Sequence, residues 1–267
     1  MMSTIYLQQG EARQTFVDKV FQHFDVGKEA GGRNVLLKPN IVSYEPYPTT
    51  THPVTIEACL ELLKGVAKGI IVGDGPAWDA GDSKSIIENH ILKKSCDKYG
   101  IELVDLLREG VRLVETRSYK LEVSELALQC DIIISLPVLK SHGVCSLTGA
   151  LKNHLGLLSV AEKRRLHDDL DVHRVIAELN EVIKPDLYIV DAVQTLVNTN
   201  EARHGGKPGT LGYMLAGSDP LSLDTLGLDL MSEVEPRLRG KHPEDIRHLR
   251  HAADLSLGTM QYKVIKW

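Results

Sequence analysis

Aromatic residues are scarce in this chain, and so is any excess of positive charge. Phe, Trp and Tyr make up 5% of the 267 residues, which argues against a stacking platform for nucleic-acid bases. The formal net charge is −5 and the pI is about 6.1, whereas nucleic-acid-binding domains usually present a basic face. A short basic run at residues 163–165 is interpreted as a solvated helix face. We therefore expect no nucleic-acid partner.

Long apolar runs and closely paired cysteines are also missing. No apolar stretch approaches the roughly 18 residues of a membrane-spanning helix, and no secretory signal opens the sequence. The four cysteines (Cys59, Cys96, Cys130 and Cys145) form no Cys-x-x-Cys pair, so no iron–sulfur cluster is expected. These features favour a reduced, cytoplasmic protein without a membrane partner. The sequence leaves homo-oligomerisation open.

Buried apolar runs alternate with segments of helical periodicity along the whole chain. Val35–Leu37, Ile70–Val72, Ile132–Ile134 and Leu187–Val190 are typical of central parallel strands, which are buried on both faces. The alternation predicts an α/β fold with a mostly parallel central sheet flanked by helices. We expect one domain over residues 1–267, with two lobes around a cleft as an option and a sub-lobe boundary near residues 160–172.

Polar residues recur where the predicted strands end. Lys38, Asp74, Lys140 and Asp191 each follow a buried run, and His142 follows Lys140 closely. In open α/β sheets, ligands bind outside the carboxyl ends of the strands. We therefore predict that these side chains, together with Lys152, converge on one polar cleft.

The stretch from residue 131 to residue 158 is the densest of these strand ends. After its apolar run and Pro137 it carries cations, imidazoles and small residues that suit an anionic ligand or a metal. We expect a helix to begin around Thr148, which would place Thr148 and Lys152 on one face. The residues predicted to bind a cofactor or ligand are Lys140, Ser141, Gly143, Thr148, Asn153 and Asp191.

A long glycine-rich segment at residues 198–212 is predicted to be a mobile loop near this cleft. It contains four glycines together with Arg203, His204 and Lys207. Glycine gives hinge freedom, and the cations would close on an anion. The alternative is a simple exposed connection.

Several motifs, in this order along the chain, resemble those of the domain-of-unknown-function family 362. They are Leu-Lys-Pro-Asn at 37–40, Val-Gly-Asp-Gly at 72–75, Leu-Pro at 136–137 with Lys-Ser-His-Gly at 140–143, Thr-Gly-Ala-Leu-Lys-Asn at 148–153 with Gly156, Val-Asp-Ala at 190–192, and Ser-Asp-Pro-Leu-Ser-Leu-Asp at 218–224. Many members of that family carry an added ferredoxin-like part with cluster cysteines. This chain resembles the bare domain.

A more remote resemblance is to the nickel-pincer lactate racemase family. In that family a histidine precedes the cofactor-anchoring lysine by ten positions, and His142 and Lys152 have this spacing. The nearest positional match to the family's nickel-ligand histidine is His167. The chain departs from the pattern because it lacks the paired glycines and the arginine before the lysine, and also the substrate motif near Lys38.

Two functions compete. In the first, the protein is an enzyme acting on a small carboxylate or phosphate compound, with an isomerase or redox reaction. Its catalytic residues would be Lys38, Asp74, His142 and Lys152: Lys38 and Lys140 bind the anion, and His142 acts as general acid or base. Lys152 neutralises charge or attacks as a nucleophile, and Asp74 orients one of these groups or binds a cation.

In the second, the protein binds a metal or cofactor without turnover, as an assembly or redox partner. The predicted ligands of a divalent metal are His142, His167 and His173, with His154 as a further imidazole and Asp168 or Asp171 as oxygen ligands.

Overall fold

The computed structural model describes residues 2–267, except for the side chain of His167. The strands are β1 (Ser3–Gln9), β2 (Asn34–Pro39), β3 (Gly69–Asp74), β4 (Leu103–Asp105), β5 (Val111–Glu115), β6 (Lys120–Ser124), β7 (Ile132–Leu136), β8 (Lys140–His142), β9 (Ser146–Thr148), β10 (Leu187–Val197), β11 (Lys207–Gly217) and β12 (Tyr262–Lys266).

The α-helices are α1 (Arg13–His23), α2 (Val26–Ala30), α3 (Pro53–Leu63), α4 (Ser83–Asn89), α5 (Ile91–Tyr99), α6 (Glu125–Gln129), α7 (Val160–Asp168), α8 (Val172–Val182), α9 (Pro220–Val234) and α10 (Arg247–Asp254). Short 3₁₀ helices cover Lys152–Leu157, Ala202–His204, Pro236–Leu238 and Pro243–Asp245. None of the helices within residues 2–267 is long and apolar enough to cross a membrane.

Eight strands form the central sheet, in the order β12-β1-β11-β10-β7-β2-β3-β4. Only β11, among the described strands of this sheet, runs opposite to the others. The expected mostly parallel sheet flanked by helices is confirmed. From β2 the chain winds outward to β3 and β4 and then returns to β7 on the other side of β2. Ligands bind at such a change of winding direction, outside the carboxyl ends of the strands.

Apolar side chains of the central strands alternate between the two faces of the sheet, and each face packs against a layer of helices. Val35 and Leu37 face one layer, which contains α1 to α5, whereas Leu36 faces the opposite layer. Successive side chains of a strand point to opposite faces, so a run of three apolar residues serves both cores. The opposite layer is built from α6, α8, α9 and α10.

The segment after β7 differs from its predicted form. A helix was expected from Thr148, but β8 and β9 form a two-stranded antiparallel hairpin with Lys140 opposite Thr148 and His142 opposite Ser146. A 3₁₀ helix then begins at Lys152. Thr148 and Lys152 therefore lie in different elements. The hairpin stands above the carboxyl ends of β7 and β2, where it forms one wall of a cavity.

The second part of the segment predicted as a mobile loop is strand. β11 begins at Lys207 and pairs with β10 from Val197 opposite Lys207 to Tyr188 opposite Gly217. The connection between the two strands is therefore confined to residues 198–206. The prediction of a loop over 198–212 was wrong for residues 207–212, because glycine and proline disguise the start of a strand that a neighbouring strand stabilises.

Candidate functional site

A cavity of about 380 Å³ opens at the carboxyl ends of β2, β3 and β7. It is lined by Asn40, Ile41, Val42, Asp74, Gly75, Ala77, Trp78, Asp79, Lys140, His142, Gly143, Val144, Cys145, Thr148, Lys152, Asn153, Leu155, Gly156, Lys163, Leu166, Val172, Thr199, Asn200, Glu201 and His204. Its size suits a small metabolite.

Lys38 and Asp74 form a buried ion pair at the cavity floor. β2 and β3 are neighbours, with Leu37 opposite Val72, so the two strand ends bring these side chains together. Lys38 Nζ lies 2.6 Å from Asp74 Oδ1, and both side chains are fully or almost fully buried. Asp74 also accepts hydrogen bonds from the backbone N–H groups of Ile41 (2.6 Å) and Gly75 (2.8 Å). Lys38 does not line the cavity, so its ammonium serves the pair and not a ligand.

The 3₁₀ helix packs directly against this pair. Asn153 donates hydrogen bonds to the Lys38 carbonyl (3.3 Å) and to Ser135 Oγ (3.0 Å). A Cβ atom on Gly156 would lie 1.8 Å from Asp74 Oδ1 and 2.8 Å from Lys38 Nζ. Only glycine fits here, so the Gly156 position and the ion pair require each other.

Lys140 is a second buried lysine, on the strand of the hairpin nearest the sheet. Its ammonium donates a hydrogen bond to the Thr49 carbonyl and contacts no carboxylate within ion-pair distance among the described residues. Burial, with the positive charge of Lys152 in second place, lowers the pKa of Lys140 to about 7. Lys140 therefore titrates in the neutral range.

His142 ends β8 and turns its imidazole back onto its own turn. Its Nδ1 accepts hydrogen bonds from the backbone N–H groups of Val144 and Cys145, both at 3.1 Å. Burial, and then the charges of Lys152 and Lys140, hold the pKa of His142 well below its ordinary value of 6.5. A neutral imidazole that accepts at Nδ1 must carry its proton on Nε2. His142 thus presents an Nε2–H donor on the cavity wall.

Lys152 is the cation that lines the cavity without a partner. Its ammonium forms no hydrogen bond or ion pair with any described residue, and the side chain is only partly exposed. Burial lowers the pKa of Lys152, and the neighbouring Cys145 and Glu201 oppose that shift. A desolvated, unpaired ammonium is costly unless a ligand or water compensates it.

Lys163 is a site residue that sequence reasoning missed. The basic run was interpreted as a solvated face, but Lys163 is buried and donates to the carbonyls of Gly75 (2.7 Å) and Pro76 (3.0 Å). Burial lowers its pKa to about 7. No local signal separates Lys163 from Arg164, because only the packing of α7 over the turn after β3 buries it.

The connection at residues 198–206 lies across the cavity and is fastened to the opposite side. The backbone N–H groups of Ala202 and Arg203 donate to the Glu45 carboxylate at 2.7 and 2.6 Å. Arg203 pairs with Asp79 at 2.9 Å and with Glu201 at 2.6 Å. This segment, including Glu201 and His204, therefore closes one side of the cavity.

Asp191 is not brought into this site, contrary to the prediction. β10 continues to Val197, so Asp191 lies within the strand and not at its end. Its buried carboxylate pairs with Arg13 at 2.6 Å and accepts from Tyr47 Oη at 2.8 Å, and these two partners line a separate small pocket.

The other predicted residues divide between the cavity and its surroundings. Gly143, Thr148 and Asn153 line it, and the buried Thr148 Oγ1 has no hydrogen-bond partner in the described part of the chain. Ser141 lies in the hairpin strand β8, is buried and does not line the cavity. His154 is also buried, with Nδ1 3.3 Å from the Leu151 carbonyl, and burial lowers its pKa to about 3.

The described residues among the predicted metal ligands do not lie together in the structure. His173 packs beside His248 in the layer of α8 and α10, with ring centroids 6.2 Å apart. The side chain of His167 lies outside the described residues, so its predicted role stays a prediction. Within the described residues, three metal-ligand side chains with donor atoms within 4.8 Å of one another occur once, at Asp79, Glu201 and His204.

The fold and the cavity define a doubly wound α/β protein with a lysine-rich pocket at the switch point of its sheet. The sequence model of the family described as "Domain of unknown function (DUF362)" matches residues 35–229. The chain belongs to this family, which confirms the resemblance drawn from its motifs. The match begins at β2 and ends within α9, so it contains every residue that lines the cavity.

Two relatives place the family match in context. A thylakoid-associated protein of Synechocystis sp. is 27% identical over 213 residues, which cover 77% of this chain and 64% of that protein. The structure of the lactate racemase apoprotein from Thermoanaerobacterium thermosaccharolyticum is similar with a TM-score of 0.58 and 15% identity, over 86% of this chain and 57% of the racemase. The chain thus spans less than two thirds of either relative, and the racemase shares the fold.

Proposed function

We propose that the protein is an enzyme that binds a small carboxylate or phosphate compound in this cavity and stabilises negative charge on one of its oxygens. The observation that carries the proposal is the unpartnered Lys152 ammonium on the cavity wall beside the Nε2–H of His142. An anionic ligand would supply the partner that Lys152 lacks.

The tautomer of His142 determines its role. With Nδ1 occupied by two backbone donors, the free nitrogen carries a proton and has no lone pair to accept one. His142 therefore acts as a hydrogen-bond donor to a substrate oxygen and not as a general base. A fixed donor aimed at an oxygen that gains charge is worth far more in a water-excluded site than in solution.

The two groups together suit reactions in which a carboxyl or carbonyl oxygen becomes more negative. Removal of a proton from the carbon next to a carbonyl or carboxyl group puts this charge on the oxygen, and so does transfer of a hydride from a reduced cofactor to a carbonyl carbon. An isomerase and a redox enzyme are therefore the reaction classes that fit. The fold similarity to the lactate racemase supports the same pair of classes by analogy only.

Ligand binding to Lys152→Met tests the proposal. Methionine keeps most of the apolar stem and removes the charge. We expect the affinity for inorganic phosphate and small carboxylates, measured by calorimetry, to fall at least about tenfold, since a charge-assisted contact is lost. The melting temperature of the empty protein should stay the same or rise, because a desolvated charge has been removed.

Lys94→Met is the matched control, because Lys94 is exposed on α5 and remote in sequence from every cavity residue. Lys152→Arg should restore part of the binding, as it keeps the charge. Wild-type affinity in Lys152→Met would refute the proposal. Turnover is checked by incubating the bound carboxylates in D₂O, where an isomerase exchanges carbon-bound hydrogen for deuterium.

A second function, metal binding without turnover, is favoured by one specific observation. Asp79, Glu201 and His204 each place a donor atom within 4.8 Å of the others on the cavity wall, and such oxygen and imidazole donors suit a divalent metal. Arg203 pairs with both carboxylates, so a metal would have to displace it. Metal analysis of protein purified without a histidine tag tests this: stoichiometric metal that is lost in Asp79→Asn supports the site, and metal-free wild type excludes it.

A further inference from the structure

Three lysines of the cavity have no carboxylate within ion-pair distance. Lys140 and Lys163 donate only to carbonyl oxygens, and Lys152 donates to no described group. The other charges of the cavity have partners of their own: Asp74 contacts Lys38, and Asp79 and Glu201 share Arg203. The unmatched charge therefore lies on one side of the cavity, between the hairpin, the 3₁₀ helix and α7.

We infer that the ligand carries at least two negative charges, as a dicarboxylate, a tricarboxylate or a phosphate ester does, and that its binding draws protons into the site. This inference rests on the proposed function and narrows it. Three ammonium groups around one small cavity repel one another, and a monoanion would offset only one of them. A ligand with two or three charges compensates the whole set.

The empty site reduces this repulsion by losing protons. Burial lowers the pKa of Lys140 and that of Lys163 to about 7, so these two ammonium groups are the ones that lose protons near neutral pH. The charged groups that act on Lys140 are Lys152, Glu201, Glu45 and Asp74. Those that act on Lys163 are Asp74, Lys38, Asp105 and Lys152.

A bound polyanion reverses the balance, because a nearby negative charge raises the pKa of a lysine. Both lysines then become fully protonated. Ligand binding near neutral pH is therefore accompanied by proton uptake, to which each of the two lysines contributes. Only Lys152 has an ammonium free to contact the ligand directly. Lys140 and Lys163 also line the cavity, but they donate to carbonyl oxygens and act on the ligand through the low-dielectric surroundings.

Calorimetry with propionate, succinate and tricarballylate at constant ionic strength tests the charge requirement. The three probes carry one, two and three carboxylates on similar short chains. We expect affinity to rise by about tenfold or more with each added charge, as burial strengthens charge interactions over their value in water. Repeating the succinate titration in buffers of different ionisation enthalpy should report net proton uptake when the ligand binds.

Variants of Lys163 separate charge from contact. Lys163→Arg keeps the cation but cannot release its proton, so it should retain the preference for succinate while proton uptake falls by about half. Lys163→Met should reduce both the preference and the uptake. Lys94→Met is the control and should match wild type in every measurement.

Different outcomes would refute this inference and the proposed function on which it rests. Equal affinity for propionate and succinate, or binding without proton uptake in wild type, would overturn the inference and leave a site for monoanions. Failure of all three probes and of inorganic phosphate to bind folded wild-type protein would overturn the proposed function itself. The decisive measurements use wild type, so they hold even if a Lys163 variant does not fold.

Discussion

Replacing Asp74 by asparagine isolates the buried pair on which the cavity floor is built. Asparagine keeps the shape of the side chain but removes its charge and turns one of its two acceptor oxygens into a donor. The Lys38 ammonium would then lie fully buried, 2.6 Å from a neutral group or from another donor. Breaking a buried ion pair by removal of one partner costs about 3–5 kcal/mol of unfolding free energy, so Asp74→Asn should lose an amount of this order.

The pH dependence of the loss carries a definite sign. Burial already lowers the pKa of Lys38 from its ordinary value of 10.5, and Asp74 opposes that shift. Without the carboxylate the folded-state pKa falls further, so the unfolded chain binds more protons between that pKa and about 10.5. The stability of Asp74→Asn should therefore rise relative to wild type as the pH increases from the Lys38 pKa of the folded variant to that of the folded wild type, and the difference should stay constant above it.

Urea denaturation followed by circular dichroism measures these changes. Asp97→Asn is the control, because it removes an acid from the exposed pair with Lys93 and should cost less than about 1 kcal/mol. In the double variant Lys38→Met/Asp74→Asn no charge remains to be compensated, so at least about 2 kcal/mol should be recovered. An Asp74→Asn variant within 1 kcal/mol of wild type would refute the argument, since it would show that Lys38 finds another partner.

Two further changes test the close packing at Gly156 and the burial of His248. Gly156→Ala places a methyl group 1.8 Å from Asp74 Oδ1 and should lower the free energy of unfolding, measured by urea denaturation, by about 1–3 kcal/mol. Gly27→Ala is the control, because a methyl group there has nothing within 4 Å, and it should be neutral or stabilising. Equal effects of the two changes would contradict the close approach at Gly156. Burial lowers the pKa of His248 to about 3, so the unfolded chain binds the extra proton below pH 6.5 and stability is lost as the pH falls. Between pH 7 and pH 4.5, His248→Leu should lose about 2 kcal/mol less than wild type, and parallel curves for the two would show that His248 is protonated in the folded state.

The fold was predictable because its determinants are local. Apolar runs such as Val35–Leu37 are short, β-branched in part and ended by polar residues, and they alternate with helical spacing, which is enough to indicate a parallel α/β sheet. The rule that strand ends gather at one edge also placed Asp74, Lys140 and His142 at one cavity. These predictions required no knowledge of which strands are neighbours.

Partnership between side chains was not predictable in the same way. Lys38 and Asp74 neutralise each other across 36 positions, and only the adjacency of β2 and β3 shows it. Asp191 looked like a strand end, but β10 runs on to pair with β11 and leaves it facing Arg13. Lys163 has an ordinary helical context, and its burial depends on the turn after β3. Each of these contacts depends on the tertiary structure, and no pattern of neighbouring residues in the sequence indicates it.

The pairing of β1 with β11 and β12 has a consequence for the order in which the chain folds. Tyr6 lies opposite Ala216 and Ser3 opposite Tyr262, so the first strand obtains its neighbours only after most of the chain has been synthesised. β2, β3 and β7 lie within about the first half of the sequence and can assemble earlier. Contacts of such long range slow folding, and until they form, the apolar side chains of Ile5 and Leu7 lack their partners. During synthesis the strands β2, β3 and β7 beneath the cavity can therefore pair while the β1 border of the sheet is still open.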